Sequence, residues 1–104
     1  MNKAKKEFIT FLENLVHKRM SIKGIKIVIN EFLKTDKVYV VKSEMHWNNP
    51  DVADYMFVGS TEYANEENEN IPFCDFDIYV LPTKEEINGE VVYYITEVGY
   101  EFDY

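Results

Sequence analysis

The apolar residues change period near Lys37, from the 3.6 of a helix to the two of a strand. That change restricts the chain to a fold with its helices first and its strands afterwards. Phe8, Phe11, Leu12, Leu15 and Val16 fall at i, i+3, i+4, i+7 and i+8, one apolar stripe of a first helix, with Lys3, Lys5, Lys6, Glu13, Asn14 and Lys18 largely off it. Ser21 is placed to cap a second helix with Ile22, Ile25, Ile29, Phe32 and Leu33 as its apolar positions, ending at Thr35-Asp36. Gly24 weighs against that helix, and Ile25-Lys26-Ile27-Val28-Ile29 alternates equally well as a strand, so both readings stay open.

Beyond Lys37 the pattern is one of strands. Val38 to Val41 is β-branched and aromatic, and a polar break follows at Asn48-Asn49-Pro50-Asp51. Tyr55 to Thr61 alternates, with Met56 and Val58 on one face and Tyr55, Phe57 and Gly59 on the other. Glu62 to Asn70 reads as a loop, its run Asn65 to Asn70 having no apolar group to bury. In the next strand Cys74, Phe76, Ile78 and Val80 face one way and Asp75, Asp77 and Tyr79 the other. Asn88-Gly89 accepts the positive φ of a type I′ hairpin turn, and Val91 to Phe102 forms a long last strand with a bend expected at Gly99. The expected architecture is α+β: two N-terminal helices packed on an antiparallel sheet of four to five strands. Residues 1–104 are expected to form one domain, with a helical basic part over 1–35 and an acidic sheet over 37–104.

Charge follows the same division. Residues 1–42 carry ten bases and four acids, net +6, whereas residues 43–104 carry fifteen acids and the single base Lys84, net −14. If helices cover one face of the sheet, the outward acids belong to the other face, whose field repels nucleic acid and attracts basic surfaces. An apolar content of 46% excludes a disordered chain. No apolar run reaches the length of a membrane span, the first residues lack a signal-peptide pattern, and the single Cys74 suits a reducing compartment, so a soluble cytoplasmic protein is expected.

Val58-Gly59-Ser60, then fourteen residues, then Asp75-Phe76-Asp77-Ile78 resembles the nucleotidyltransferase signature. In that family a Gly-Ser pair opens a helix after a strand, and an acid-x-acid pair on the next strand binds metal. The resemblance implies divalent-metal binding by Asp75 and Asp77, with Glu97 standing in for the third acid. The chain departs from the pattern between Thr61 and Cys74, which hold four glutamates and no base where the family receives a triphosphate. It departs again after the pair, which runs into a hairpin with no room for the family's next helix. Solvent-facing acids on an amphipathic strand are the preferred reading of Asp75 and Asp77. His17, His46 and Cys74 lack zinc-type spacing, no Ser-His-acid or Cys-His arrangement is visible, and four glycines make no phosphate-cradling loop. No catalytic residue, metal or cofactor is therefore expected. Lys3, Lys5, Lys6, Lys18, Arg19, Lys23 and Lys26 have the composition of a nucleic-acid footprint, but the −14 remainder opposes a polyanion, and direct nucleic-acid binding is not expected.

The acids are interleaved with Tyr55, Tyr63, Tyr79, Tyr93, Tyr94, Tyr100 and Tyr104, and Trp47 stands near them. These are side chains that anchor protein interfaces, while carboxylates steer basic partners. Outward acids on a strand recur about every 6.7 Å, comparable to phosphates along a nucleic-acid strand. The leading expectation is a small non-enzymatic inhibitor of a basic, nucleic-acid-processing enzyme, of the phage or plasmid anti-defence type such as an anti-CRISPR or anti-restriction protein. Its expected partner-binding residues are Glu62, Glu66, Glu67, Glu69, Asp75, Asp77 and Tyr79, with Glu97, Glu101 and Asp103 as a second patch. An immunity protein or antitoxin that neutralises a basic toxin would use the same physics, and a minimal nucleotidyltransferase-like enzyme using Asp75 and Asp77 is a further alternative. Head-to-tail association of copies through the +6 and −14 parts would make a homo-oligomer.

Overall fold

A computed structural model describes residues 2–44 and 55–102 of the chain. Helix α1 spans Lys3–Glu13 and starts where the Asn2 side chain accepts the Lys5 N–H at 2.9 Å. Phe8 and Leu12, one turn apart, are its buried residues. Helix α2 covers Ile22–Leu33, so the ambiguous Ile25–Ile29 segment is helical throughout. Ser21 caps it by accepting the Gly24 N–H at 3.0 Å. Ile25 and Ile29 reach the core, which a strand's alternation would have shared with Ile27, and Ile27 is exposed instead. The helix ends on Lys34 in the left-handed conformation (φ 56°), just before the expected Thr35-Asp36 stop.

Between the helices, Arg19–Met20 forms a two-residue strand, β1, against Tyr94 and Tyr93. The contact is extended by His17 N–H donating to Ile95 O (2.8 Å) and Ile95 N–H to Lys18 O (2.9 Å). Strands β2 (Tyr39–Glu44), β3 (Tyr55–Ser60), β4 (Cys74–Ile87) and β5 (Glu90–Phe102) complete an antiparallel sheet in the order β1-β5-β4-β3-β2. The fold is α+β, with α1 and α2 packed on one face of this five-stranded sheet. Asn88 (φ 53°) and Gly89 (φ 80°) make the tight β4–β5 turn that the Asn-Gly pair signals.

The core fills the space between the layers. Phe8, Leu12, Ile25 and Ile29 come down from the helices onto Phe57, Phe76, Ile78, Val80 and Ile95 of the sheet, all at or near zero exposure. Fully burying one such side chain contributes about 1.5–3 kcal/mol. Gly59 belongs to this face. A Cβ there would collide with the Phe76 ring and lie 2.7 Å from the Tyr39 carbonyl, so glycine is the residue that lets Phe76 cross β3.

One expectation is corrected. Glu62–Glu67 is a short helix, α3, and not loop. Its anchor is Ala64, wholly buried and too small to register as an apolar signal, with the Asn65 amide donating to Ile71 O (2.7 Å) to close the segment. The last strand keeps its register at Gly99, which pairs with Asp77. The shifts fall between Tyr79 and Val80, where Thr96 is the extra residue of β5, and between Pro82 and Glu86. The first is held by the Thr96 hydroxyl donating to Tyr79 O (3.2 Å), the second by the Thr83 hydroxyl donating to Val92 O (2.7 Å).

Thr61, completely buried, joins α3 to the sheet: its hydroxyl donates to Pro72 O and accepts the Cys74 N–H at 2.8 Å. Thr61→Val keeps the shape and removes both bonds. It is expected to cost about 2 kcal/mol through the two backbone groups left unpaired, read as a lower urea midpoint with an unchanged slope.

Candidate interaction surface

Strand alternation divides the sheet residues into two sets. The set facing away from the helices follows from the register. One row runs Tyr39, Ser60, Asp75, Glu101; the next Val41, Val58, Asp77, Gly99; the third Ser43, Met56, Tyr79, Glu97; and Leu81, Tyr94 and Arg19 lie beyond. This open face has two halves. On β2 and β3 it is apolar and hydroxylic; on β4 and β5 it carries four carboxylates around Gly99. Among its described residues Arg19 is the one base, and Arg19 is engaged by Glu85 at 2.8 Å. At the same end the His17 Nδ1 and the Tyr94 hydroxyl share a hydrogen bond of 2.7 Å.

The carboxylates are placed against their own interest. Asp75 lies directly across from Glu101, a like-charge pair that disfavours the ladder. Asp77, half-buried between Val58 and Gly99, has its pKa raised by burial and further by the negative charge of Asp75.

The expected site residues therefore separate into two groups. Asp75, Asp77, Tyr79, Glu97 and Glu101 share the open face, the register of β4 with β5 setting Glu97 and Glu101 of the expected second patch beside the first. Glu62, Glu66, Glu67 and Glu69 do not join them. They belong to α3 and the turn after it, which borders α2 across a shallow cleft of about 670 Å³ whose walls include Ile27, Lys34, Ala64 and Ile71. There Glu67 lies 4.0 Å from Lys37 of the α2–β2 connection, so part of the acidic charge meets the basic part of the chain. Asp103, like Trp47, His46 and Tyr104, lies outside the described residues. Among the tyrosines, Tyr93 is buried against Phe57 and Tyr55, whereas Tyr79 and Tyr94 reach the open face and Tyr63 is exposed on α3. The apolar half, Tyr39, Val41, Met56 and Val58, was not selected from the sequence. Its alternation is legible, but only the strand order sets it beside the acids.

Parts of the nucleotidyltransferase pattern form: Gly59-Ser60 ends a strand, a helix follows, and Asp75 and Asp77 share a face of the next strand. Their local roles are structural, however. Gly59 makes room for Phe76, and the Ser60 hydroxyl accepts the Glu62 N–H (3.1 Å) at the start of α3. Among the described residues no three of His, Cys, Asp and Glu converge on a metal-sized site. Cys74 is buried, and burial pushes its thiol up to about 12, which keeps the thiolate needed for nucleophilic attack out of reach at neutral pH. No helix of the described residues is long and apolar enough to cross a membrane. Comparison with protein-family models, with curated proteins and with solved structures finds no match.

A carboxyl with a raised folded-state pKa binds its proton more tightly in the native chain. Its stabilising contribution is present below the ordinary carboxylate range and is lost as pH rises through the raised value. Asp77→Asn is therefore expected to melt at a higher temperature than the parent at pH 7. The two should converge at acid pH, where Asp77 is protonated in both states. Thermal unfolding followed by circular dichroism between pH 3 and pH 8 checks this, and an equal or lower melting temperature for the variant at pH 7 contradicts it.

Proposed function

We propose that the protein is a non-enzymatic binding protein that lays its open sheet face against a basic partner, and that the partner is a nucleic-acid-processing enzyme whose positive groove the carboxylates occupy. The observation that carries this reading is the set Asp75, Asp77, Glu97 and Glu101, held on two adjacent strands facing one way, with an apolar half-face beside them. Along each strand, residues two apart are separated by about 6.7 Å, a repeat that a phosphate-binding groove accepts. The neighbouring Tyr39, Val41, Met56 and Val58 supply apolar area that can be buried once the charges have steered the encounter. Four carboxylates kept together at a cost to the free fold are the trade-off expected of a surface selected for binding. Inhibition of a defence nuclease, as an anti-CRISPR or anti-restriction factor from a phage or plasmid, is the biological role this surface would suit. Blocking a groove requires no cofactor and no bond-making chemistry, and it places the protein in the same compartment as its target.

The test begins with capture of partners from a bacterial lysate on the immobilised protein and release by competing duplex DNA. With the captured enzyme purified, association should slow steeply as salt is raised from about 50 to 300 mM, over which the screening length falls below about 10 Å. Joint replacement of Asp75, Asp77, Glu97 and Glu101 by their amides should weaken binding at least about tenfold. The corresponding glutamines at Glu62, Glu66, Glu67 and Glu69 should change affinity by less than about threefold, because α3 lies on the helix side. Binding that ignores salt, or that the sheet-face variant retains in full, overturns the proposal.

A further inference from the structure

The structure assigns a second role to β2: we infer that its outer edge is the seam of a homodimer, two copies pairing antiparallel to make one continuous ten-stranded sheet. The inference does not depend on the partner proposed above.

β2 is an outermost strand, and among the described residues nothing pairs with its outer side. The opposite boundary is guarded. β1 covers Tyr93 and Tyr94 of β5, and the turn after α1 lines a cleft with Thr96, Glu97 and Val98 next to it. The usual devices that blunt an edge are weak in β2. Its register with β3 runs unbroken from Tyr39–Ser60 to Glu44–Tyr55, so no bulge twists it away, and it contains no proline. Its one lysine, Lys42, is exposed but leans back across the sheet, its ammonium 4.2 Å from the centroid of the Tyr55 ring on β3 and so away from the outer edge. Tyr39, meanwhile, is 47% exposed.

The residues also select a register. A two-fold axis at Val41 sets Val41 against itself, Tyr39 against Ser43 and Val40 against Lys42, using Tyr39 to Ser43 without opposing like charges. An axis at Lys42 would oppose two lysines. An axis at Val40 would recruit Val38, whose N–H is already given to the Asn30 side chain at 3.1 Å. A chain of net charge −8 needs a contact that keeps its acids apart. With the axis on β2, the two β4 strands lie five strand spacings apart, about 24 Å, well beyond the screening length of about 8 Å at physiological salt. Stacking the two open faces would instead bring the carboxylates to about 10 Å. Because the axis is perpendicular to the sheet, both open faces point to the same side, and the dimer presents two acidic patches to one partner. A ladder of five residues with flanking side chains is smaller than the roughly 1,200 Å² of a stable complex, so a concentration-dependent dimer is the expected form.

Sedimentation velocity of the full chain over a range of concentrations tests this. A monomer–dimer equilibrium is expected, and raising salt should shift it toward dimer by screening the like net charges. Val41→Lys sets two lysines across the axis and should leave only monomer with an unchanged circular dichroism spectrum. Joint Tyr39→Lys and Ser43→Lys, which sets lysine against lysine at both ends of the same ladder, serves the same purpose should Val41→Lys disturb the fold. Val41→Cys should give a disulfide-linked dimer under mild oxidation, with the buried Cys74 taking no part. A chain that stays monomeric at every concentration overturns the inference. So does a dimer that dissociates as salt rises, which is the behaviour of head-to-tail contacts between the +6 and −14 parts, or one that survives both Val41→Lys and the Tyr39, Ser43 double lysine variant.

Discussion

Phe76 lying across Gly59 is the contact on which the rest of the arrangement depends. The ring occupies the space that any side chain on β3 at that position would fill, and its edge meets Phe8 of α1 at 6.1 Å between centroids. It therefore locks β3 to β4 and locks both to the helix layer. Side chains alternate along a strand, so a slip of one residue would turn Phe76 outward and Asp75 and Asp77 into the core. The interaction that secures the apolar interior thus also fixes the direction of the acids.

That coupling explains why the open face can hold charge it would otherwise shed. Asp75 opposes Glu101, and Asp77 is disfavoured in its ionised form by burial and by Asp75, yet the apolar rows behind them leave no alternative register. Among the described residues the ion pairs Lys3–Glu7 and Lys37–Glu67 lie elsewhere and Arg19–Glu85 lies at the end of the open face, and all three, being exposed, contribute little to stability. The energy that holds the acids in place comes from the Phe, Ile and Val residues on the other side of the same strands. A second copy pairing on β2 would extend this platform without bringing its charges closer together.

The fold was largely legible because its signals are local. Ser21 announces α2, Asn88-Gly89 announces the hairpin, and the alternation from Cys74 to Val80 separates core from surface without reference to any other strand. What escaped were features that depend on contacts far along the chain. β1 is two residues whose only cause is the neighbouring edge of β5. The short α3 rests on Ala64 and on a buried threonine hydroxyl, neither of which stands out against six polar neighbours. The irregularity of β5 falls at Thr96, where pairing with β4 demands an extra residue, and not at the glycine that propensity favours.

The amino-acid order by itself determined the layers, the face of each long strand and the segregation of charge along the chain, because periodicity and turn chemistry act between near neighbours. Which acids share a surface was decided by the tertiary structure alone. Strand order set Asp75 and Asp77 beside Glu97 and Glu101 and placed Tyr39, Val41, Met56 and Val58 next to them, while the packing of Ala64 carried Glu62, Glu66, Glu67 and Glu69 to the helix side. The reason is physical: a charge has no preferred neighbour in a one-dimensional pattern, and its position in space is inherited from the apolar contacts that close the fold.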